Sequence, residues 1–330
     1  MDRRVATVVL AAVTGLVACN GTGSSDDDGA NAGRGGAPAG PASCLGATGT
    51  ECEGGDCCAS LPVLGGTFPQ GDPDAFSSTV ASFRLDRYEV TVGRFRKFVA
   101  AYDAWRQAGN PVTGSGANTA VPASGWSADF TGSLPASADA IVHDPKLQCD
   151  PAFETGSSSG NDSLPINCVD WFTAFAFCIW DGRRLPTESE WEYAAAGGDA
   201  NLAYPWGNTP APDNTLGTAS LAVYDCLGNG DLDCVFADIL PVGSRPAGNG
   251  RFGQSDLAGS MWEWGLDWFD VYPVAAQNNY ANLASGVARI IRGGDWGSGA
   301  STLPAAARYS YGYPTARFEN VGFRCAGNYP

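Results

Sequence analysis

Residues 180–198 read WDGRRLPTESEWEYAAAGG, and this stretch sets two helix boundaries without any tertiary help. Directly after Pro186, Thr187 and Glu190 form the T-x-x-E pattern of a capping box, so a helix starts there and Gly197-Gly198 close it. Just upstream, Asp170 is placed to cap a helix carrying Trp171, Ala174, Phe175, Cys178 and Ile179, with Gly182 positioned to end it in the left-handed conformation. Further towards the N-terminus, SSTVASFRLDRYEVTVGRFRKFVAAY (77–102) predicts a strand through Phe83 and Leu85. A helix capped by Thr91 should follow, with Phe95, Phe98 and Val99 on its inner face. From Gly109 to Asn161 the chain is Gly, Ser, Ala and Pro interspersed with aromatics, which reads as ordered loop with little regular structure. Such capping is structural and demands no catalyst.

At the N-terminus, MDRRVATVVLAAVTGLVACN has the form of a bacterial lipoprotein signal, residues 1–19, with Cys19 as the lipidated residue. Residues 20–43 lack the apolar side chains to build a core and read as a flexible spacer. A Cys-rich segment, 44–60, leads into one loop-rich domain, 61–330. The expected location is the bacterial cell envelope, with the membrane as a partner through the lipid. A formal charge of −16 excludes nucleic acid as a partner, because phosphates demand a basic surface. Eleven cysteines in an exported chain point to disulfides, ten of them once Cys19 is removed for lipid. Cys226–Cys234 and Cys149–Cys168 are expected bridges, while Cys44, Cys52, Cys57 and Cys58 are left without assigned partners. A zinc cluster in CEGGDCC (52–58) fits poorly, since adjacent Cys57 and Cys58 do not suit tetrahedral geometry.

Six stretches, DRYEVTVGRFRKFV, WDGRRLPTESEWEYAAAGG, YPWGN, DLAGSMWEWGLDW, RIIRGGDW and GFRCA, resemble the formylglycine-generating enzyme (sulfatase-modifying factor) family in order and spacing. The resemblance covers about residues 60–328. It implies an α+β, C-type-lectin-like fold, loop-rich, with small antiparallel sheets and few short helices. Enzymes of this family bind copper(I) through two cysteines shortly after the RGGS-like turn and use oxygen to convert a substrate cysteine to formylglycine. Carried onto this chain, those positions fall near Ser298 and within Ala300 to Leu303, and neither is cysteine. Oxygen ligands replace thiolates poorly for a soft ion, so copper is not expected. A second family bridge is also missing, its ends being Ala195 and Ala305, whereas Cys178–Cys325 matches the remaining one. Iron-dependent relatives of the fold need several histidines; this chain has one, His143, read as an ordinary loop residue.

The resemblance also implies a Ca²⁺ site formed by Asp256, the carbonyls of Gly259 and Met261, and Glu263, a hard-oxygen set. Alternatively, Trp262 and Trp264 pack while the acids face solvent. A second family calcium site would use Asn214, Thr215 and an acid near Asp233, with Asp231 and Asp238 as rivals, or the Cys226–Cys234 loop is simply acidic surface. The family's peptide groove lies beside the loop RGGDWGSGASTLPAAAR (292–308), hereafter the opening loop, which implies Asp295, Trp296, Ser298 and Arg308 as its polar and aromatic lining, with Tyr309, Tyr311, Tyr313 and Phe318 nearby. Arg308 would pair with Asp295 or Glu319, or meet a ligand carboxylate. Two function classes follow. One is a lipid-anchored, calcium-stabilised module binding a peptide or glycan; the other is a sulfatase-modifying-type enzyme using unrecognised residues. The absent cysteine pair separates them.

Overall fold

The computed structural model describes residues 41–44, 56–71, 76–143, 149, 160–211, 221–230, 233–284 and 286–330, all within the unit Pro38–Pro330. The signal segment, Cys19, Cys52, Asn214, Thr215 and Asp231 lie outside the described residues. No helix among those described is long and apolar enough to cross a membrane.

Among the described residues, four α-helices are spread among ten short strands, the α+β architecture expected from the sequence. The strands are β1 (Ser60–Val63), β2 (Gly66–Gln70), β3 (Phe76–Val80), β4 (Phe83–Asp86), β5 (Trp262–Trp268), β6 (Gln277–Asn278), β7 (Arg289–Arg292), β8 (Arg308–Gly312), β9 (Val321–Gly322) and β10 (Ala326–Asn328). They form three sheets, ordered β1-β4-β10, β2-β3-β6 and β8-β7-β5-β9. Pairing is antiparallel except for β3 with β6 and β5 with β9, which run parallel. The helices are α1 (Val92–Gln107), α2 (Ala138–His143), α3 (Trp171–Trp180) and α4 (Glu188–Ala195).

The predicted caps are present. Thr91, Asp170 and Thr187 each accept from the N–H three residues on, and Glu190 completes the box at α4. Gly182 (φ 75°), Gly197 (φ 69°) and Gly198 (φ 73°) take the left-handed conformation that ends a helix. Phe95, Phe98 and Val99 of α1 pack with Phe175 and Phe177 of α3 and Trp264 of β5 in the main core. That core fixes the antiparallel β5–β7–β8 ladder on which the opening loop hangs.

Three expectations need correction. The stretch after Gly109 is not all loop: α2 forms there because the Asp103 carboxylate accepts the Ala138 N–H at 2.8 Å and Ser137 accepts that of Ala140. His143 ends this helix, exposed and 2.8 Å from Asp139, rather than lying in a loop. The spacer does not extend to residue 43, because Ser43 is fully buried, donating its N–H to Asp181 and accepting from the Arg94 guanidinium.

Every described cysteine is disulfide-bonded, Cys57 to a partner outside the described residues. The bridges Cys178–Cys325, Cys149–Cys168 and Cys226–Cys234 form as expected, and Cys44 pairs with Cys58. Thiols committed to bridges leave none in the 52–58 stretch's described part for zinc.

Candidate functional site

The opening loop leaves β7 through Gly293 (φ 105°) and Gly294 (φ 77°). Glycine is required at 294, where a Cβ would come within 2.7 Å of Thr302 Oγ1. Asp295 then organises the turn. Its Oδ1 accepts the N–H groups of Gly297 and Ser298 at 2.7 Å, and its Oδ2 accepts from the Ser298 hydroxyl at 2.9 Å and the Asn320 amide at 2.7 Å. Four donors saturate this buried carboxylate, and Ser298 spends its hydroxyl on it. Leu303 is fully buried in an apolar cluster with Tyr224, Leu227 and Ala258. Trp296 is buried too, its ring 5.5 Å from that of Phe236. The Cys226–Cys234 loop lies against this turn: Cys226 donates its N–H to the Trp296 carbonyl at 2.8 Å and Asp225 to that of Ser298 at 2.9 Å.

Arg308 pairs with neither Asp295 nor Glu319. Its Nε and Nη2 grip both oxygens of Glu188 at 2.6 and 3.0 Å, and its guanidinium stacks 3.9 Å from the Tyr272 ring centre. One turn further along α4, Glu192 meets Arg292, which also donates to the carbonyls of Ala305, Ala306 and Ala307. Tyr272 bridges the two pairs, its hydroxyl 2.9 Å from Glu188 and 3.1 Å from Glu192. Burial, with Glu188 close by, pushes the Tyr272 hydroxyl well above its ordinary pKa. Nearby Asp267 accepts the N–H groups of Glu188 and Asn282. Burial and the Glu188 charge raise it to about 7, against those hydrogen bonds. Arg308 is therefore a strut between α4 and β8, and the four expected groove residues do not converge.

A groove does border the opening loop, built from other residues. Trp262, Ile291, Tyr309, Phe318, Glu319, Asn320 and Val321 line a cavity of about 290 Å³. Trp262 and Tyr309 stack with ring centres 5.2 Å apart and planes 16° from parallel. Asn320 joins this groove to Asp295, so the groove rests on a fixed turn. Of the aromatics expected here, Tyr309 and Phe318 line the groove, Trp296 does not, and exposed Tyr313 lies outside its lining.

A sequence profile for the sulfatase-modifying factor enzyme 1-like domain matches residues 48–329, from inside the Cys-rich segment almost to the end. The chain belongs to this family. It is 30% identical over 302 residues to the formylglycine-generating enzyme of Thermomonospora curvata, covering 81% of this chain and 93% of that one. It is also 36% identical over 170 residues to the inactive Cα-formylglycine-generating enzyme 2 of Mus musculus, about half of each chain. Among solved structures, PvdO from Pseudomonas aeruginosa superposes with a TM-score of 0.55 at 22% identity, covering 84% of this chain and 97% of that one, which shows a shared fold. The family thus includes active and inactive members. Where the resemblance places its thiolate pair, this chain holds a Ser298 hydroxyl tied to Asp295 and a buried Leu303, a donor set that does not suit copper(I). Ala195 and Ala305, ends of the missing bridge, do come together, both buried in one apolar cluster.

The loop expected to take calcium is coiled by left-handed residues Asp256 (φ 58°), Gly259 (φ 75°) and Ser260 (φ 65°). Gly259 is obligatory, since a Cβ there would lie 2.2 Å from the Val223 carbonyl oxygen. The tryptophans do pack, Trp262 and Trp264 being buried, but Glu263 is buried with them rather than facing solvent. It binds Arg324 through both oxygens, at 2.6–2.9 Å, and accepts from Trp191 at 2.9 Å. Asp256 gives one oxygen to the Gly243 N–H at 2.6 Å. Glu89, which sequence reading missed, accepts from the Ser260 hydroxyl and the Met261 N–H at 3.0 Å. Burial first, then the Asp256 and Glu263 charges, hold Glu89 well above the usual carboxylate range, and burial lifts Asp256 to about 6. Carboxylate and carbonyl oxygens are ligands of the kind Ca²⁺ takes, and the residues the resemblance assigns to it would be Asp256, the carbonyls of Gly259 and Met261, and Glu263, whose two oxygens meet Arg324 here. At the second expected site Asp233 is exposed, whereas Asp238 is buried and accepts from the N–H groups of Asn229 and Val235, closing its own loop.

Sequence reading misses Glu188, although ESEWE carries a signal for it: Glu188 and Glu192 stand four apart on one helix face, beside the capping residue Glu190.

Proposed function

We propose that this chain is a lipid-anchored, extracytoplasmic, calcium-stabilised member of the sulfatase-modifying factor family that binds a ligand beside the opening loop and does not generate formylglycine. The observation that carries this reading is Leu303, fully buried among apolar side chains where the resemblance calls for a copper-binding thiolate. The Trp262–Tyr309 stack with Glu319 and Asn320 at its edge supports the binding half. An apolar floor with a few polar groups suits a ligand having one apolar face and a hydrogen-bonding edge, as peptides and glycans have. Anchoring through Cys19 rests on the lipobox.

A panel of cell-envelope glycans and extended peptides, probed with the chain and with Tyr309→Ala, tests the binding half. Tyr309→Ala should weaken a hit at least tenfold, and Arg308→Ala should spare it while the fold holds. The absence of any hit, or loss with Arg308→Ala alone, would refute the groove. Replacing Cys19 with Ala should release the protein from the membrane fraction; retention would refute the anchor.

A further inference from the structure

Past Leu303 the opening loop borders a second cavity, of about 330 Å³. Its lining includes Glu192, Ala196, Leu202, Asn208, Ala305 and Ala306, none of which lines the groove at Tyr309. Glu192 is the buried polar group of this wall, and its partners are all donors. The Gly71 N–H donates to Oε1 at 2.6 Å, while the Tyr272 hydroxyl and the Arg292 guanidinium donate to Oε2. A carboxylate oxygen accepts more than one hydrogen bond, so Oε1 can take another donor. Asn208 is exposed, and its Oδ1 accepts the Ala203 N–H at 2.9 Å, which leaves Nδ2 to donate. Ala305 and Ala306 are held in place: Arg292 takes both their carbonyls, and the Ala305 N–H donates to the Ala203 carbonyl at 2.8 Å. From this set we infer that the cavity holds the acetamido group of an N-acetylated amino sugar.

An acetamido group offers an N–H, a carbonyl and a methyl, and the wall has a counterpart for each. Glu192 Oε1 accepts the N–H, Asn208 Nδ2 donates to the carbonyl, and the methyl packs on Ala196, Leu202, Ala305 and Ala306. Charge argues against an ionic ligand. Glu188 and Glu192 already face Arg308 and Arg292, so an ammonium finds no net charge to neutralise, and a carboxylate would meet Glu192. The volume stands at the low end of the range for small-molecule sites, about 300–1,000 Å³, which suits one ring rather than a chain. Asn201, exposed and in the same lining, supplies a further amide for ring hydroxyls. An acetylated lysine has the same acetamide, but its methylene stem has nothing to offer Asn201. This site is separate from the groove of the proposed function, and either can fail without the other.

Saturation-transfer NMR on the full chain, titrated with N-acetylglucosamine, tests it, with glucose, glucosamine and Nε-acetyllysine as comparison ligands. The acetyl methyl protons should receive the strongest transfer, and the three comparison ligands should bind at least tenfold more weakly. Ala306→Leu fills the cavity without touching an ion pair. Asn208→Asp keeps Oδ1 for Ala203 and removes the donor. Each should weaken binding of N-acetylglucosamine at least tenfold with near-ultraviolet circular dichroism unchanged, while Tyr309→Ala should leave it as in the parent chain. No transfer to N-acetylglucosamine, or equal binding of glucose, would overturn the inference. So would undiminished binding by Asn208→Asp, or loss of binding with Tyr309→Ala, which would move the sugar to the other groove. Acetyllysine bound as tightly as the sugar would overturn the choice of a sugar.

Discussion

Two buried ion clusters flank β5, and they are built on opposite principles. In one, Glu188 and Glu192 of α4 each have an arginine, Arg308 and Arg292, with Tyr272 between them. In the other, Glu89, Asp256 and Glu263 crowd together, and of these three acids Arg324 bonds Glu263, its other donors going to the carbonyls of Asp86, Arg87 and Ser255. The first is complete, which removes Arg308 from the list of ligand anchors. The second holds more carboxyls than cations out of water, which drives Glu89 and Asp256 toward their protonated forms; a bound cation would favour their ionised forms instead. The contrast teaches that conspicuous charge in the sequence marks a strut as readily as a site. What separates them is whether the partners balance.

The largest effect should come from Arg324→Met, which leaves Glu263 buried without its cation beside two more carboxylates. Losing one member of a buried pair costs about 3–5 kcal/mol, and a denaturant titration should show a loss in that range or no folded protein. Near-normal stability would mean the second cluster is not charged as described. Adding Ca²⁺ should raise the unfolding temperature, by about 2.7 kcal/mol of stabilisation at a hundredfold excess over Kd. Asp256→Asn should remove most of that shift. It is a cleaner probe than Glu263→Gln, which also disturbs Arg324 and Trp191. Identical melting curves in chelator and millimolar calcium would remove the site. Arg308→Ala should cost roughly 2 kcal/mol, in the range for hydrogen bonds to charged groups, because it opens the complete cluster. Stability unchanged by this substitution would break the comparison from the other side.

The acids raised by burial also make stability depend on pH. Asp267, at about 7 in the fold, stands above its unfolded value of about 3.9, so the folded state binds its proton more tightly. The resulting stabilisation is full below the unfolded value and is lost as pH rises through about 7. The unfolding temperature should therefore fall between pH 5 and 8, and Asp267→Asn should flatten part of that slope. Glu89 and Asp256, both raised, contribute with the same sign. An unaltered slope in the variant would assign the dependence to them alone.

Local rules carried most of the fold. Thr91, Asp170 and Thr187 act on residues three away, and their helices start where the sequence places them. The short α2 was not legible because its first turn is held by Asp103, 35 residues upstream. The same limit applies at the site. That no cysteine stands between Asp295 and Arg324 could be read directly, since it is a matter of residue identity. The partner of Arg308 could not, because Glu188 lies 120 residues away and meets it only once α4 packs against β8. Asp295 reads in sequence as a groove residue and as a partner for Arg308, but four local donors occupy it in the fold.

The central claim is that the opening loop keeps the family's shape without its oxidase chemistry. Its most direct test incubates the chain, disulfides intact, with a cysteine peptide of the sulfatase type under oxygen and copper(I), beside a family member that has both loop cysteines. The mass of the peptide reports conversion of its cysteine to formylglycine. The account predicts conversion by the control and none by this chain; conversion at a rate comparable to the control would contradict it.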